Sequence, residues 1–426
     1  MKIRKKLLRT TMIVAAGLIT CFAATQAQAT TTLAVGTCKP NFVSYTTIQA
    51  AVNAAPAGTT IDVCPGYYAE QVTITTNSLT LLGIQSAMGD SAVIITPTAA
   101  NPAGTWTSNA TAIDPEGPAA VDAQIAVVGA TGVTISHITV DGANSGLSPC
   151  SVQLVGIYYE NSTGTVTDSV ARNQTFGTGD QCGWGIATEN TSGLALTVSN
   201  SSVHNFQKNG IVARGAGGST GPVLTATGNT VIGVGATGEI AQNGIEVAYG
   251  AAGSVKSNYV ADLLYTGPVA NGTATGILFY QASGSPVAET NVVESANTGI
   301  GDNYDTGATI SSNHIGGTQI FDGIDLCDSG AIATGNLIYN STESGIHLDD
   351  SCGTGTGASV KTNTINEACA GILLGTGSNT VGTNTYENVG YTTKAGDTCT
   401  LPTGPNNNVV GKTEAQSTAK GRKARP

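Results

Sequence analysis

Asp325, His347 and Asp349 are the residues of this 426-residue chain whose types and spacing could do chemistry. They stand in two similar stretches, Gly323-Ile324-Asp325 and Gly345-Ile346-His347-Leu348-Asp349. If these are equivalent strands stacked in parallel, Asp325 and His347 sit side by side about 4.8 Å apart, and Asp349 lies about 8 Å from Asp325 at Cα. Two carboxyl groups roughly 6.5–9.5 Å apart admit a water beside a glycosidic bond, one acting as general acid and the other as general base. His347 would tune their pKa values. A second chemistry uses Asp302 and Asp305, with Asp325, Asp328, Asp349 and Asp350 nearby, to hold Ca²⁺, the only cofactor expected. The cation would neutralise a uronate while His347 or Arg214 takes a proton from carbon. A plainer role is open for each of these acids, because Asp caps bends and keeps a surface soluble.

A two-part repeat must position these groups. Gly followed by Ile recurs nine times from Gly156-Ile157 to Gly371-Ile372, at spacings of 22 to 34 residues. Between these pairs, short runs carry Asn200, Asn229, Asn258, Asn291, Asn313, Asn336, Asn363 and Asn384. Both halves alternate apolar and polar residues, the pattern of short strands with one buried face. Gly is expected to supply a φ > 0 bend, and Asn to accept left-handed backbone and bond the equivalent amide one coil away. Returns of this length do not make hairpins, whereas stacked coils accommodate them. The fold class is therefore all-β, a parallel β-helix (β-solenoid) over residues 30–395. At its start Thr46-Thr47-Ile48-Gln49 reads as a capping box, opening an N-terminal capping helix that stops at Pro56.

With each Ile inward, the second and fourth residues after each Gly point outward. This places Glu189, Arg214 and Tyr280 on the face that carries Asp325 and His347. Trp106, Trp184 and Tyr280 are candidates to stack on sugar rings, with Glu189 as a further binding residue. Trp184 also directly precedes a core strand and is a candidate core plug. No outward Thr-x-Thr array is evident in register, which sets an ice-binding face aside.

Composition narrows the partners. Residues 1–29 read as a secretory signal, with a basic start, an apolar stretch and Ala27-Gln28-Ala29 at its end. Residues 396–426 read as a largely disordered tail. The intervening stretch to residue 416 holds 8 basic and 28 acidic side chains, a net of −20, which repels nucleic acid and anionic membrane. No later stretch is long and apolar enough to span a membrane, and a monomer is expected, released to the periplasm or exterior. The eight cysteines after the signal read as disulfides. In a coil stack, pairings one coil apart are Cys38–Cys64, Cys150–Cys182, Cys327–Cys352 and Cys369–Cys399, although spacing alone leaves the last four residues open.

Three segments carry a family resemblance: Thr47-Ile48-Gln49-Ala50-Ala51-Val52, Ile61-Asp62-Val63-Cys64-Pro65-Gly66-Tyr67-Tyr68 and Leu79-Thr80-Leu81-Leu82-Gly83. They resemble the N-terminal signature of pectin-lyase-like right-handed parallel β-helices, and the Gly-Ile/Asn repeat is similar to the repeats of that superfamily. The resemblance covers about residues 38–390. It implies a right-handed coil and a polysaccharide partner. It does not fix a reaction, because the superfamily holds lyases, hydrolases, esterases, epimerases and non-catalytic adhesins. The Gln-Asp and Asp-Phe-Ile-Phe-Gly motifs of pectin methylesterases, the Gly-His-Gly of polygalacturonases and the Asp-Pro-His-Asp of mannuronan epimerases are missing. The function expected is a secreted polysaccharide-binding protein of lyase or hydrolase type, against the alternative of a non-catalytic surface rod.

Overall fold

The computed structural model describes residues 31–400 apart from 86–91, 97–105, 114–118, 177–180, 218–219, 269–271, 306, 318–320 and 354–356. The expected signal and nearly all of the expected tail lie outside the described residues. Apolar–polar alternation yields three short β segments per coil, as in Thr309–Ser311, His314–Gly316 and Asp322–Cys327. Each pairs in parallel with its equivalent one coil later. The first segments stack into a 14-stranded sheet, and the second and third contribute to a 22-stranded sheet. Among the described residues the one antiparallel pairing joins Ala110–Thr111 to Ala120–Val128. The isoleucine after each repeat glycine is fully buried, and all nine belong to one continuous core. Burying each such side chain favours the fold by roughly 1.5–3 kcal/mol.

The repeat glycines do a different job from the bend expected, since none of them has a positive φ. A Cβ at Gly323 would lie 2.3 Å from Ile338 Cγ2 and 2.7 Å from the Gly345 carbonyl oxygen. Close approach of successive coils, not backbone handedness, excludes a side chain there. Left-handed backbone falls instead to the residue before each ladder asparagine from Asn229 to Asn363: Gly228, Ser257, Thr290, Ser312, Gly335 and Thr362. From Asn258 to Asn384 each Oδ1 accepts from both the backbone N–H and the Nδ2 of the asparagine one coil earlier, at 2.9–3.0 Å. Asn200 is one residue out of this register. It takes the left-handed position at φ 49°, and Ser201 fills the rung, its N–H donating to Asn229 Oδ1 at 3.0 Å.

At the N-terminal end, the helix Ile48–Ala54 places Ile48, Ala51 and Val52 in the core. Its N-cap is Thr47, whose Oγ1 accepts from Ala50 N–H at 3.2 Å. The expected capping box does not close, because Gln49 bonds the backbone of Thr73. Glu70 supplies the missing acceptors, taking the Ile48 and Gln49 N–H groups at 2.8 and 2.9 Å. The 14-stranded sheet also corrects the reading of its outer face. Thr134-x-Ser136, Thr165-x-Thr167, Thr197-x-Ser199 and Thr225-x-Thr227 do lie in register on successive coils. The run ends at Lys256 and Glu289, which pair at 2.9 Å, so it is a short stretch of ordinary outward strand composition.

Four disulfides join Cys38 to Cys64, Cys150 to Cys182, Cys327 to Cys352 and Cys369 to Cys399, with Cα–Cα distances of 5.5–5.8 Å. Such bonds belong to an oxidising, extracytoplasmic compartment. No helix among the described residues is long and apolar enough to cross a membrane. The ladder makes a direct prediction. Asn313→Ala removes the acceptor of Asn291 N–H and Nδ2 in a fully buried rung, and is expected to cost on the order of 3 kcal/mol. Asn384→Ala, at the half-exposed end where water can replace the amide, should cost clearly less in the same denaturation experiment. Equal losses at the two positions would contradict the ladder as a buried device.

Candidate functional site

The register sets Asp325 opposite His347 and Cys327 opposite Asp349, on the strands Asp322–Cys327 and Leu337–Asp349. Asp325, His347 and Asp349 are thus brought together, and Asp322, the residue before Gly323, joins them. His347 Nδ1 lies 3.5 Å from Asp322 Oδ2 and 4.0 Å from Asp325 Oδ1. Asp322 also accepts from the Ser344 hydroxyl at 2.6 Å. Asp349 is oriented by Ser351, which donates its N–H at 2.7 Å and its hydroxyl at 2.9 Å. The Cys327–Cys352 disulfide closes the same turn, so those two thiols offer no ligand to a metal. Asp397 adds a carboxylate within 4.8 Å of both His347 and Asp349.

Crowding acids into a nearly dry patch sets their protonation. Burial, then the charge of Asp349, pushes the Asp325 carboxyl well above its usual range; Asp322 and Glu343 add to this and His347 opposes it. Burial by itself would lower the His347 pKa. The hydrogen bond to Asp322 and the charges of Asp322, Asp325 and Asp349 outweigh it and push the imidazole up to about 10. Burial and contact with Asp350 raise Asp397 to about 6. At neutral pH the centre therefore sets an imidazolium among carboxyl groups, and the Asp325 carboxyl holds its proton more tightly than a free one. Asp325 Oδ1 and His347 Nε2 are buried without a hydrogen-bond partner, as are Asp302 Oδ1 and Asp305 Oδ2.

Several sequence candidates lie elsewhere. Arg214 is buried and donates to Glu246 Oε1 from Nε at 2.8 Å and from the terminal nitrogen at 2.7 Å. It packs 5.3 Å from the Trp184 ring and 5.4 Å from the Tyr249 ring. Four coil steps separate its strand from that of Asp325, about 19 Å along the stack, so the two share no centre. Asp302 faces inward, in the file between Phe279 and Leu326, and is fully buried. It accepts from Ala308 N–H at 2.9 Å and from the Ser329 hydroxyl. Asp305 accepts from Gly307 N–H at 2.6 Å. Burial and the hydrogen bond to Asp302 raise Asp305 to about 9. Among the described residues no third acidic ligand joins this proton-sharing pair, which does not fit Ca²⁺ with its six to eight oxygens.

Outward alternation holds, yet the first half of the outer face is covered. Trp184, Tyr158, Ala187 and Val212 form a second apolar cluster with Ala110 and Ala112 packed against it. Glu189 accepts from Ile113 N–H at 2.8 Å and from the Tyr158 hydroxyl, and Trp106 is also buried. These side chains fasten or underlie the 106–113 segment and are not presented to a sugar. Tyr280 remains partly exposed in an edge-to-face row, 5.4 Å from Tyr249 and 5.6 Å from Tyr304. Sequence reasoning missed Asp322, Glu246 and Tyr304. The signal for Asp322 was the residue before each Gly-Ile pair, a file that runs Trp184, Asn209, Asn243, Thr275, Thr298 along the same outer face.

The profile of the right-handed β-helix region matches residues 184–388. That stretch carries the right-handed β-helix region, in agreement with the parallel coil stack of the described residues. Among solved structures, this β-helix resembles the A-module of a mannuronan C-5 epimerase from Azotobacter vinelandii, with TM-score 0.50 and 15% identity over 82% of this chain and 92% of that one. It also resembles a GH136 lacto-N-biosidase from Eubacterium ramulus, with TM-score 0.56 and 11% identity over 84% and 68% of the two chains. At such identities the likeness is one of fold. No curated protein matches the β-helix in sequence.

The protonation pattern has a consequence for stability. Asp325, Asp397, Asp305 and His347 all hold their protons more tightly folded than unfolded. Their contribution is present at low pH and is lost as pH rises through the folded values, up to about 10. Asp141, Glu246 and Asp350 are held low and act in the opposite sense, losing their contribution as pH falls below the carboxylate range. The thermal midpoint is therefore expected to peak near about pH 5 and to fall towards pH 10. Asp322→Asn, which removes the His347 hydrogen-bond partner, should flatten the alkaline limb. A midpoint that climbs between pH 6 and pH 9 would refute the assignment.

Proposed function

We propose that this β-helix is an exported protein that binds carbohydrate on the outer face of its 22-stranded sheet and hydrolyses a glycosidic bond there. The observation that carries the proposal is the placement of Asp325 and Asp349 on strands one coil step apart, with His347 beside both and the Asp325 carboxyl pushed well above its usual range. Asp325 gives its proton to the leaving oxygen as the bond to the anomeric carbon breaks. Asp349, oriented by Ser351, takes a proton from the water that attacks that carbon from the other side. His347 stabilises the Asp325 carboxylate left behind, and solvent returns the proton afterwards. The register gives about 8 Å between the two Asp Cα atoms, compatible with the carboxyl separation of an inverting hydrolase.

Proton abstraction from carbon is supported less well. An imidazolium with a pKa of about 10 is a poor base at neutral pH, Arg214 is remote, and Asp302 and Asp305 do not fit a cation. A body with a net charge of −20 favours a neutral glycan over a polyuronate. Both solved relatives bear the names of carbohydrate-active enzymes, which supports the substrate class. Purified protein offered neutral and uronate-rich polysaccharides should release reducing ends without unsaturated-uronate absorbance. Asp325→Asn and Asp349→Asn should each lower turnover by about 10²–10⁴-fold while leaving the thermal midpoint near that of the parent, and the first-formed sugar should be the inverted anomer. Unsaturated products, or unchanged turnover in both variants, would sink the hydrolase reading.

A further inference from the structure

We infer that the carbohydrate site is a short window closed at both ends, so that it takes a chain end or a short neutral oligosaccharide and not the middle of a long chain. This rests on the proposed hydrolase site. One file of outward residues runs the length of the face, and its exposure changes along the way. On the N-terminal side Tyr158, Ala187 and Val212 belong to it and are buried. The 106–113 segment roofs them. Its pairing with Ala120–Val128 is antiparallel, and two carboxylates clamp its backbone: Glu160 accepts from Thr111 N–H at 2.9 Å and Glu189 from Ile113 N–H at 2.8 Å. The next step of the file is Glu246, also buried and paired with Arg214.

The C-terminal side is shut as well. Leu373 follows His347 in the file and is fully buried with Ala370 beneath the Cys369–Cys399 bond, with Tyr391 alongside. Cys399 N–H donates to Glu343 at 3.2 Å, tying this cover to the strand that carries His347. Between the two covers, Leu278, Tyr280, Asn303 and Asp349 are partly exposed, and the Asp325 side chain is 20% exposed. Leu278 and His347 are three coil steps apart, about 14 Å, or roughly three sugar rings if each covers one step. The reacting pair sits at the C-terminal end of this window, one step from the Leu373 cover. A glycan bound over Leu278 and Tyr280 can therefore extend only a little way past the scissile bond, which makes exo-cleavage with a small product the expected mode. A through-groove for internal cleavage would need the Tyr158–Val212 stretch to be open.

The test is an array of neutral oligosaccharides of one to six units, probed with the labelled full-length Asp325→Asn protein so that ligands are not consumed. Binding is expected to level off by about three units. Affinity that keeps growing about tenfold or more from three units to six would overturn the closed window while leaving the hydrolase site standing. No binding at any length would sink the carbohydrate reading and this inference with it. Ala112→Asp, which places a charge in the apolar underside of the roof, should add affinity for six-unit ligands and leave three-unit ligands unchanged. If that variant does not fold, the length series on the Asp325→Asn protein decides alone.

Discussion

Every distance in the site descends from the close approach of successive coils. At the repeat glycines the coils pass so near that Gly323 meets the carbonyl of Gly345 and the side chain of Ile338 with no room for a Cβ. At the opposite corner the asparagine ladder fixes the same register by hydrogen bonds. A slip of one residue would send every inward isoleucine to the surface and every outward acid into the core. The register is thus doubly determined, by sterics at one corner and by amide satisfaction at another. Asp325 stands against His347 because both are two residues beyond glycines that cannot move apart.

That rigidity lets the fold hold charges in unfavourable places. Burying ionised groups costs several kcal/mol each unless they are paired and hydrogen-bonded, and the chain meets the requirement in three ways. Arg214 and Glu246 neutralise one another between aromatic rings. Asp302 and Asp305 share a proton and accept from backbone N–H groups. The Asp322–Asp325–His347–Asp349 centre sets the charge of the His347 imidazolium among its carboxyl groups. This last group differs from the other two in gathering carboxyl groups around an imidazole, with the Asp325 side chain 20% exposed. The disulfide at Cys327 and Cys352 holds the turn next to Asp349.

The sequence made local and periodic relations legible and non-local ones invisible. The 22-residue spacing from Gly323 to Gly345 was enough to set Asp325 beside His347, and one-coil separations pointed to the cysteine pairs found. Parity along the strand was enough to place Asp302 inward, three residues after Gly299, yet its acidity led it to be read as a cation ligand instead. Nothing near Trp184 or Glu189 signalled that residues 106–113, over 70 positions earlier, would fold across them. Arg214 looked outward by the same parity, and the partner that buries it, Glu246, lies one coil on. Asn200 was misassigned by a single place because Ser201 can fill a rung through its hydroxyl. Asp322 was overlooked because the residue before each glycine shares the outer face, a consequence of local geometry at the glycine that simple alternation does not describe.

The proposed site depends most on the protonated state of His347 within the acid cluster, and NMR titration of the imidazole nitrogens reads it directly. The chain has four histidines, so a His347→Gln spectrum assigns the signal. Stacking as described predicts that the His347 ring keeps both protons through neutral pH and titrates near 10, shifting towards its ordinary value when Asp322 is changed to Asn. A ring that titrates near about 6.5, the value of an isolated imidazole, would show that the acids do not surround it and that the site is not assembled as described.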